Sequence, residues 1–174
     1  MKILVTSDTH EKTRELKTLL ERYADEVKIV CHLGDHARDL LQFQTLYPQL
    51  MMVAVAGNCD YSPGLQPEII LNISACLDDE NAPSKKILLT HGHNLGVKTG
   101  LDRLAYYAKE KGADACFFGH THFPVCCEVG GIFVMNPGSP SWPRGGSESS
   151  YGLVEISPEG GISGKLVRYE HSNS

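Results

Sequence analysis

The sequence predicts one α/β domain, built from two packed mixed β-sheets that are flanked by helices. Near the N-terminus, apolar runs of strand length alternate with stretches of helical periodicity, which is typical of a parallel sheet with crossover helices. The later part consists mostly of predicted strands and turns, with glycine pairs that indicate hairpins. A length of 174 residues suits a compact domain with its own hydrophobic core, so we expect a single domain over residues 1–174.

The N-terminal part contains three predicted strands joined by two predicted helices. Leu16, Leu19 and Leu20 recur at helical spacing, whereas short apolar runs rich in β-branched residues predict the strands. In chain order we predict a strand over 2–6, a helix over 13–24, a strand over 27–31, a helix over 38–46 and a strand over 51–56.

The C-terminal part contains seven predicted strands and one predicted helix. The helix should end at Gly112, because glycine adopts the left-handed conformation that closes a helix. The pairs Gly130-Gly131 and Gly160-Gly161 predict hairpin turns. In chain order we predict strands over 69–73 and 87–90, the helix over 99–111, and strands over 115–118, 124–129, 132–135, 151–156 and 162–169.

The charge balance restricts the partners. Sixteen basic and twenty-one acidic residues give a formal net charge of -5. A negative surface repels polyanions, which disfavours nucleic acid and anionic membranes as partners. A small phosphate compound remains a suitable partner, because bound metal ions can make one cleft locally positive.

The cysteines and the apolar runs indicate the compartment. The six cysteines include no C-x-x-C pair, and the adjacent Cys126 and Cys127 would point to opposite faces of a strand. We therefore expect reduced thiols that pack as small core residues. No apolar run approaches the roughly 20 residues of a membrane span, and Asp8 interrupts the N-terminal run before it reaches the length of a signal peptide. We expect a cytoplasmic protein, with homo-oligomerisation left open.

Side chains of the kinds that bind metals follow five of the predicted strands. Ligands of open α/β sheets bind in the crevice at the carboxyl ends of strands, so these five loops should converge on one place. The loops are Ser7-Asp8-Thr9-His10, Leu33-Gly34-Asp35-His36, Gly57-Asn58-Cys59-Asp60, Thr90-His91-Gly92-His93 and Gly119-His120-Thr121-His122.

The joint occurrence of these motifs favours metal binding. Each short pair alone could be a capped turn or a surface histidine, but carboxylates gathered in one place need compensating cations. Mixed oxygen and nitrogen ligands suit manganese, iron, zinc, nickel or magnesium and argue against a thiolate-rich structural zinc site. The ligands are too many for one ion. Two ions that share a carboxylate are the known arrangement for phosphate-ester chemistry.

The order D-x-H, G-D, G-N-x-D, T-H-G-H and G-H-T-H resembles the calcineurin-like metallophosphoesterase superfamily over residues 3 to 139, and the short length resembles its small YfcE-like phosphodiesterase branch. The resemblance implies a four-layer α/β/β/α sandwich, the metallophosphoesterase fold, with a binuclear metal centre at the strand ends. We expect two divalent ions per chain, manganese first, with nickel, iron, zinc, magnesium or cobalt as alternatives. The resemblance assigns Asp8, His10 and His122 to one ion, Asn58, His91 and His120 to the other, and Asp35 to both.

Other residues near these motifs are candidates for catalysis or substrate contact. We expect His93 to support a ligand or to contact substrate, rather than to be an inert turn residue. Asp60 is expected to hydrogen-bond a ligand or a backbone group and orient it. His36 either faces the substrate or is a solvated residue at a helix start. Arg144 follows the N-P-G-S turn of residues 136–139 and is expected to clamp a phosphate, with a solvated loop cation as the alternative.

Position 59 departs from the wider superfamily, where a histidine often lies near the leaving-group oxygen. Cys59 agrees with the YfcE-like branch and implies weak monoesterase activity, whereas Trp142 is expected to anchor its loop rather than to stack on a base. We predict a phosphodiesterase that hydrolyses a small phosphodiester by attack of a dimetal-activated water, without a covalent enzyme intermediate. The alternative is a protein-binding scaffold of the same fold, like a retromer subunit with a degraded metal site. A metal-dependent nuclease is disfavoured by the acidic charge.

Overall fold

The computed structural model describes residues 1–77 and 83–171, and these residues form ten strands and four helices. The strands are β1 Lys2–Thr6, β2 Ile29–His32, β3 Met51–Ala54, β4 Glu68–Asn72, β5 Lys86–Thr90, β6 Ala115–Phe117, β7 Val125–Val129, β8 Ile132–Asn136, β9 Ser150–Ile156 and β10 Ile162–Arg168. The helices are α1 Thr13–Tyr23, α2 Arg38–Leu41, α3 Ile73–Leu77 and α4 Asp102–Glu110, with a short 3₁₀ turn at His93–Leu95. None of the described helices is long and apolar enough to cross a membrane.

The strands form two five-stranded mixed sheets. The first has the order β10-β9-β1-β2-β3, with β1, β2 and β3 parallel to one another and β9 antiparallel to β1. The second has the order β4-β5-β6-β8-β7, with β5, β6 and β8 parallel and an antiparallel strand at each edge. In both sheets the parallel strands end at the same edge, which is where the candidate ligands follow them.

Three hydrophobic clusters hold four layers together. Ile3 and Val5 of β1 face the second sheet, whereas Leu4 between them faces α1, as the two-residue alternation of a strand requires. On the far side of the second sheet, Leu88 packs against Leu104 of α4. The layers are therefore helix, sheet, sheet and helix, which confirms the predicted α/β/β/α sandwich.

The predicted helix over 38–46 is wrong beyond Leu41. The amides of Phe43, Gln44 and Leu46 bond to carbonyls three residues back, which makes successive turns rather than an α-helix. Leu46 is 67% exposed, so the apolar spacing that predicted more helix does not continue onto the core.

Other predicted boundaries shift by one to three residues. The strand β2 begins at Ile29 rather than 27, because the Val27 amide still bonds to the Tyr23 carbonyl and closes α1. The helix α4 begins at Asp102 rather than 99, because Thr99 closes a turn on Gly96. Helix α3 was not predicted at all. The glycine signals at 112 and 130–131 are confirmed, since all three of these glycines have positive φ angles at the turns they were expected to form.

Candidate metal centre

Five loops from both sheets meet at one edge of the sandwich. Each loop follows the carboxyl end of a parallel strand, where backbone groups no longer pair within the sheet and side chains turn towards the crevice. The loop after β1 carries Asp8 and His10, the loop after β2 carries Asp35, the loop after β3 carries Asn58, the loop after β5 carries His91, and the loop after β6 carries His120 and His122.

The first half of the centre consists of Asp8, His10, Asp35 and His122, whose ligand atoms all lie within 4.8 Å of one another. The Nε2 atoms of His10 and His122 are 3.3 Å apart. His122 Nε2 lies 3.2 Å from Asp8 Oδ1, and His10 Nε2 lies 3.8 Å from Asp35 Oδ2. Two imidazole nitrogens and two carboxylates therefore face one small space, which is the donor set of a divalent ion.

The second half consists of Asn58, His91 and His120, and it adjoins the first through Asp35. His91 Nε2 lies 3.2 Å from Asn58 Oδ1 and 3.4 Å from Asp35 Oδ1, and the rings of His91 and His120 are 5.1 Å apart. The two carboxylate oxygens of Asp35 thus face different halves of the ligand set. The structure brings all seven predicted ligands into two adjoining groups.

The hydrogen bonds around these side chains fit a metal site. The Nδ1 atoms of His91 and His122 lie 2.7 Å and 2.6 Å from the carbonyl oxygens of Leu33 and Trp142. A carbonyl only accepts, so each Nδ1 carries the proton and each Nε2 has a free lone pair directed into the centre. Asp8 Oδ1 is buried and has no hydrogen-bond donor among the described residues. A bound cation would satisfy this otherwise costly oxygen.

The backbone of the ligand loops is left-handed at many non-glycine residues. Each such position costs about 1 kcal/mol or more, although aspartate and histidine tolerate it better than most residues. The conformation aims successive side chains of one loop into the same crevice. The predicted ligands with positive φ are Asp8 (56°), His10 (47°), Asp35 (55°), His120 (68°) and His122 (56°).

Glycines allow the ligand loops to pack backbone against backbone. Gly34 has a φ of 94°, and a Cβ there would lie 2.6 Å from the Gly57 amide nitrogen and 2.7 Å from His91 Nδ1. A Cβ on Gly119 would lie 2.8 Å from Asp8 Oδ2. Larger residues at these positions would push the ligand loops apart, which explains why a glycine precedes three of the ligand motifs.

The pKa shifts keep the ligands in the states that bind metals. Burial raises the pKa of Asp8, but the nearby side chains of His122 and His91 and the hydrogen bond from Ser7 outweigh burial and hold this pKa below its ordinary value. Burial lowers the pKa of His10 more than Asp35 raises it. Burial, together with the charges of His91 and Lys98, lowers the pKa of His120 to about 4. At neutral pH the carboxylate is charged and these imidazoles are neutral, so protons compete weakly with a metal.

Asp60 and Cys59 both form hydrogen bonds that connect the loops after β3 and β2. The Asp60 carboxylate accepts hydrogen bonds from the amides of Gly57 and Ala37 at 2.8 and 3.0 Å, so it ties the loops after β3 and β2 together. The Cys59 amide donates to Asp35 Oδ1 at 2.8 Å. Burial raises the pKa of the Cys59 thiol, and the thiol's own hydrogen bond to Asp35 and the charge of that carboxylate raise it further, so the thiol stays protonated.

Of the three predicted substrate-contact residues, His93 and His36 lie beside ligand histidines, whereas the Arg144 side chain is exposed. The His93 ring is 5.4 Å from the His91 ring, and its buried Nδ1 has no hydrogen-bond partner among the described residues. The half-buried His36 ring is 5.3 Å from His10, and its Nδ1 lies 3.7 Å from a carboxylate oxygen of Glu11. The side chain of Arg144 is exposed, while its amide donates to the His122 carbonyl at 3.4 Å.

A buried network that the sequence motifs did not indicate adjoins the first half of the centre. The Thr9 hydroxyl, between the ligands Asp8 and His10, donates to Asp39 Oδ2 at 2.6 Å and lies 3.0 Å from His32 Nε2. Because that hydroxyl has already given its proton, His32 must donate, and its Nδ1 remains without a partner. A histidine at the end of an apolar strand was the available signal. The carbonyl acceptors of Leu33 and Trp142 leave no sequence signal, because every residue has one.

The loop over 139–142 is fastened to the first half of the centre. The Ser139 hydroxyl donates to the Asp8 carbonyl at 2.9 Å and accepts from the Trp142 amide at 2.8 Å. The Trp142 ring is half exposed and is covered by Lys12, whose Nζ lies 4.0 Å from the ring centroid. Trp142 thus supports the centre through its backbone.

A two-sheet sandwich with carboxylate, amide and imidazole side chains at its strand ends defines the class of the metal-dependent phosphoesterases. Residues 1–159 match the calcineurin-like phosphoesterase superfamily domain. The chain belongs to this superfamily, which confirms the resemblance of its motifs.

Similar proteins agree with this assignment. The probable metallophosphoesterase YsnB of Bacillus subtilis is 36% identical over 157 residues, which cover 90% of this chain and 85% of YsnB. The phosphodiesterase YfcE of Escherichia coli is 38% identical over 104 residues, which cover 60% of this chain and 52% of YfcE. A structure of Vps29 from Entamoeba histolytica complexed with zinc has a TM-score of 0.71 at 23% identity and covers 98% of this chain and 100% of that one. The last comparison shows a common fold alone.

Proposed function

We propose that this chain is a phosphodiesterase that hydrolyses a small phosphodiester with two divalent ions as cofactors. The observation that carries the proposal is the position of Asp35, whose Oδ2 faces His10 at 3.8 Å and whose Oδ1 faces His91 at 3.4 Å. Membership of a phosphoesterase superfamily and the likeness to a protein named as a phosphodiesterase support the reaction class.

Seven side chains would hold the ions. Two ions bound here would act as Lewis acids on the phosphoryl oxygens and lower the pKa of the attacking water. The proposed ligands of one ion are Asp8, His10 and His122, those of the other are Asn58, His91 and His120, and Asp35 is shared.

The side chains around the ions would control the proton transfers of the reaction. In hydrolysis the water oxygen forms a bond to phosphorus, the bond to the alcohol breaks, and the departing oxygen takes up a proton. His93, neutral because burial lowers its pKa, is proposed to contact substrate from the side of His91. Cys59 offers only a thiol, which is a weak donor. The site therefore suits leaving groups that carry negative charge without protonation, such as aryl oxides.

The likeness of fold to Vps29 favours a second candidate, a protein-binding scaffold. Since the Vps29 structure is a zinc complex, metal binding alone does not separate the two candidates, whereas turnover does. The ligand set supports the enzyme, because each of the seven ligand positions has a residue able to bind a divalent ion.

The metal, compartment and partners belong to the same proposal. Manganese stays the predicted metal, and mixed oxygen and nitrogen ligands support it. All six cysteines are free thiols, which supports a reducing compartment such as the cytoplasm. The net charge of -5 supports a small substrate over nucleic acid. Homo-oligomerisation stays a prediction.

Metal content and turnover test the proposal together. Protein stripped with chelator and reloaded with Mn²⁺ should bind about two ions per chain and hydrolyse bis(p-nitrophenyl) phosphate, with little activity on alkyl monoesters. Binding of no more than one ion in excess metal would contradict the two-ion centre. Full loading without turnover of any mono- or diester would favour the scaffold.

A further inference from the structure

A cavity of about 410 Å³ lies beside the ligand loops, and the proposed hydrolysis does not use it. Its wall is largely apolar and includes Leu101, Phe118 and Phe123, whereas its two charged lining residues are the cations Lys98 and Arg144. None of the residues that line this cavity carries a negative charge. We call it the Lys98–Arg144 pocket.

The pocket lies beside the metal centre. Thr121, which lines it, lies between the proposed ligands His120 and His122. The Arg144 amide donates to the His122 carbonyl at 3.4 Å. A molecule whose phosphate lies at the ligands could therefore reach the pocket with an attached group.

Backbone geometry brings the loop that carries Arg144 close to the aromatic wall. Gly145 follows it with a φ of 65°, and a Cβ there would lie 3.2 Å from the Phe123 ring. The glycine thus lets the loop lie close to Phe123, which is 47% exposed. A guanidinium beside an apolar surface can pair with an anionic group in two parallel hydrogen bonds, while the surface covers the rest of the ligand.

We propose that the Lys98–Arg144 pocket binds one ester substituent of the substrate, and that this substituent is an aromatic group bearing a negative charge. The apolar wall covers the ring, and the two cations bind the anionic group. This inference rests on the proposed function, because it assumes that the diester phosphate lies at the metal ligands. It assigns Arg144 to the substituent rather than to the reacting phosphate.

Two diesters of nearly equal shape and different charge test the pocket: bis(p-carboxyphenyl) phosphate and bis(p-carbamoylphenyl) phosphate. The wild-type protein with Mn²⁺ should hydrolyse the carboxyphenyl diester with a kcat/KM about tenfold higher than that of the carbamoylphenyl diester. A tenfold ratio is the effect expected of one charge-assisted hydrogen bond in a partly exposed site. Lys98→Met and Arg144→Met should each lower this preference towards one, with unchanged metal content. Lys109→Met, an exposed lysine of α4 outside the lining, is the matched control and should keep the preference.

Binding of the corresponding monoesters supplies a readout that does not need turnover. Calorimetry on the Mn²⁺-loaded protein should show p-carboxyphenyl phosphate bound about tenfold more tightly than p-carbamoylphenyl phosphate, with the difference lost in Lys98→Met. Equal binding of both monoesters to the wild type, or an unchanged difference in both pocket variants, would overturn the inference. Absence of turnover of any diester would refute the proposed function instead, and the calorimetric ratio would still decide the pocket.

Discussion

Asp35→Asn tests the shared ligand directly, because it should weaken both proposed ions at once. Asp35 Oδ1 accepts from the Cys59 amide at 2.8 Å, whereas Oδ2 faces His10. The asparagine carbonyl oxygen should keep the bond from Cys59, because an amide nitrogen there would meet another donor. Its NH₂ group then faces the first half of the centre, where it cannot bind a cation. The first ion loses a ligand atom and a charge, and the second loses a charge alone.

The electrostatic effect of this substitution is large because Asp35 is buried. The Asp35 side chain is 4% exposed, so solvent screens it little. Opposite unit charges about 4 Å apart attract by about 4 kcal/mol at an effective dielectric constant of about 20. Loss of the charge should therefore weaken each divalent ion by about a thousandfold or more.

Calorimetric titration with Mn²⁺ and elemental analysis after dialysis measure the outcome. Asp35→Asn should lose both ions at micromolar metal, whereas His10→Ala should lose one and retain the other. Asp25→Asn, the same chemical change at an exposed residue, should bind as the wild type does. Loss of the same single ion in Asp35→Asn and His10→Ala would refute the shared ligand.

Three further predictions concern the surroundings of the centre. Burial lowers the pKa of His32 from 6.5 to about 4. Between pH 6.5 and about 4 the unfolded state therefore binds more protons than the folded state. The free energy of unfolding of the metal-free protein should fall by roughly 3 kcal/mol as the pH drops through this range. Denaturant titrations with chelator should show a smaller loss in His32→Gln, and an identical pH dependence would contradict the assignment. Thr9→Val removes the hydroxyl that links Asp39 and His32 and should weaken one ion about tenfold by calorimetry, with recovery in Thr9→Ser; two unaffected ions would show the network to be merely structural. Cys59→His should raise kcat/KM for alkyl esters more than for aryl esters, because imidazolium protonates a poor leaving group better than a thiol does, and an equal change for both classes would leave Cys59 as packing.

The layered fold was predictable because the spacing of apolar residues within each helix or strand is a local signal. Leu16, Leu19 and Leu20 of α1 are all buried, as their helical spacing requires. In β1 the consecutive residues Ile3 and Leu4 face different hydrophobic clusters. Helix α2 was overestimated because the spacing that predicted it does not show which residues the rest of the fold will cover, and Leu46 is left exposed.

The convergence of the ligands was predictable for a different reason. Ligands of α/β sheets bind at the carboxyl ends of the parallel strands, so residues as far apart in the chain as Asp8 and His122 were expected to lie together. Asp8 Oδ1 and His122 Nε2 are indeed 3.2 Å apart. The left-handed backbone of these residues was not predictable, because aspartate and histidine adopt it only when surrounding contacts impose it. The acceptor carbonyls and the Lys98–Arg144 pocket likewise depend on tertiary packing that spacing does not encode.

The charges of the two halves differ, and the difference bears on how an acidic protein could bind an anionic substrate. The first half holds the buried Asp8 in addition to the shared Asp35, whereas the second half adds no further carboxylate, and its Asn58 is exposed. Two divalent ions bring four positive charges against two carboxylates, so the proposed centre keeps a net positive charge despite the overall charge of -5. The second half, with fewer charged ligands and more exposure, should hold its ion less tightly and admit substrate. His120 belongs to that half, and its neighbour Thr121 lines the Lys98–Arg144 pocket, so the positive potential of the ions would reach the pocket proposed for the substituent.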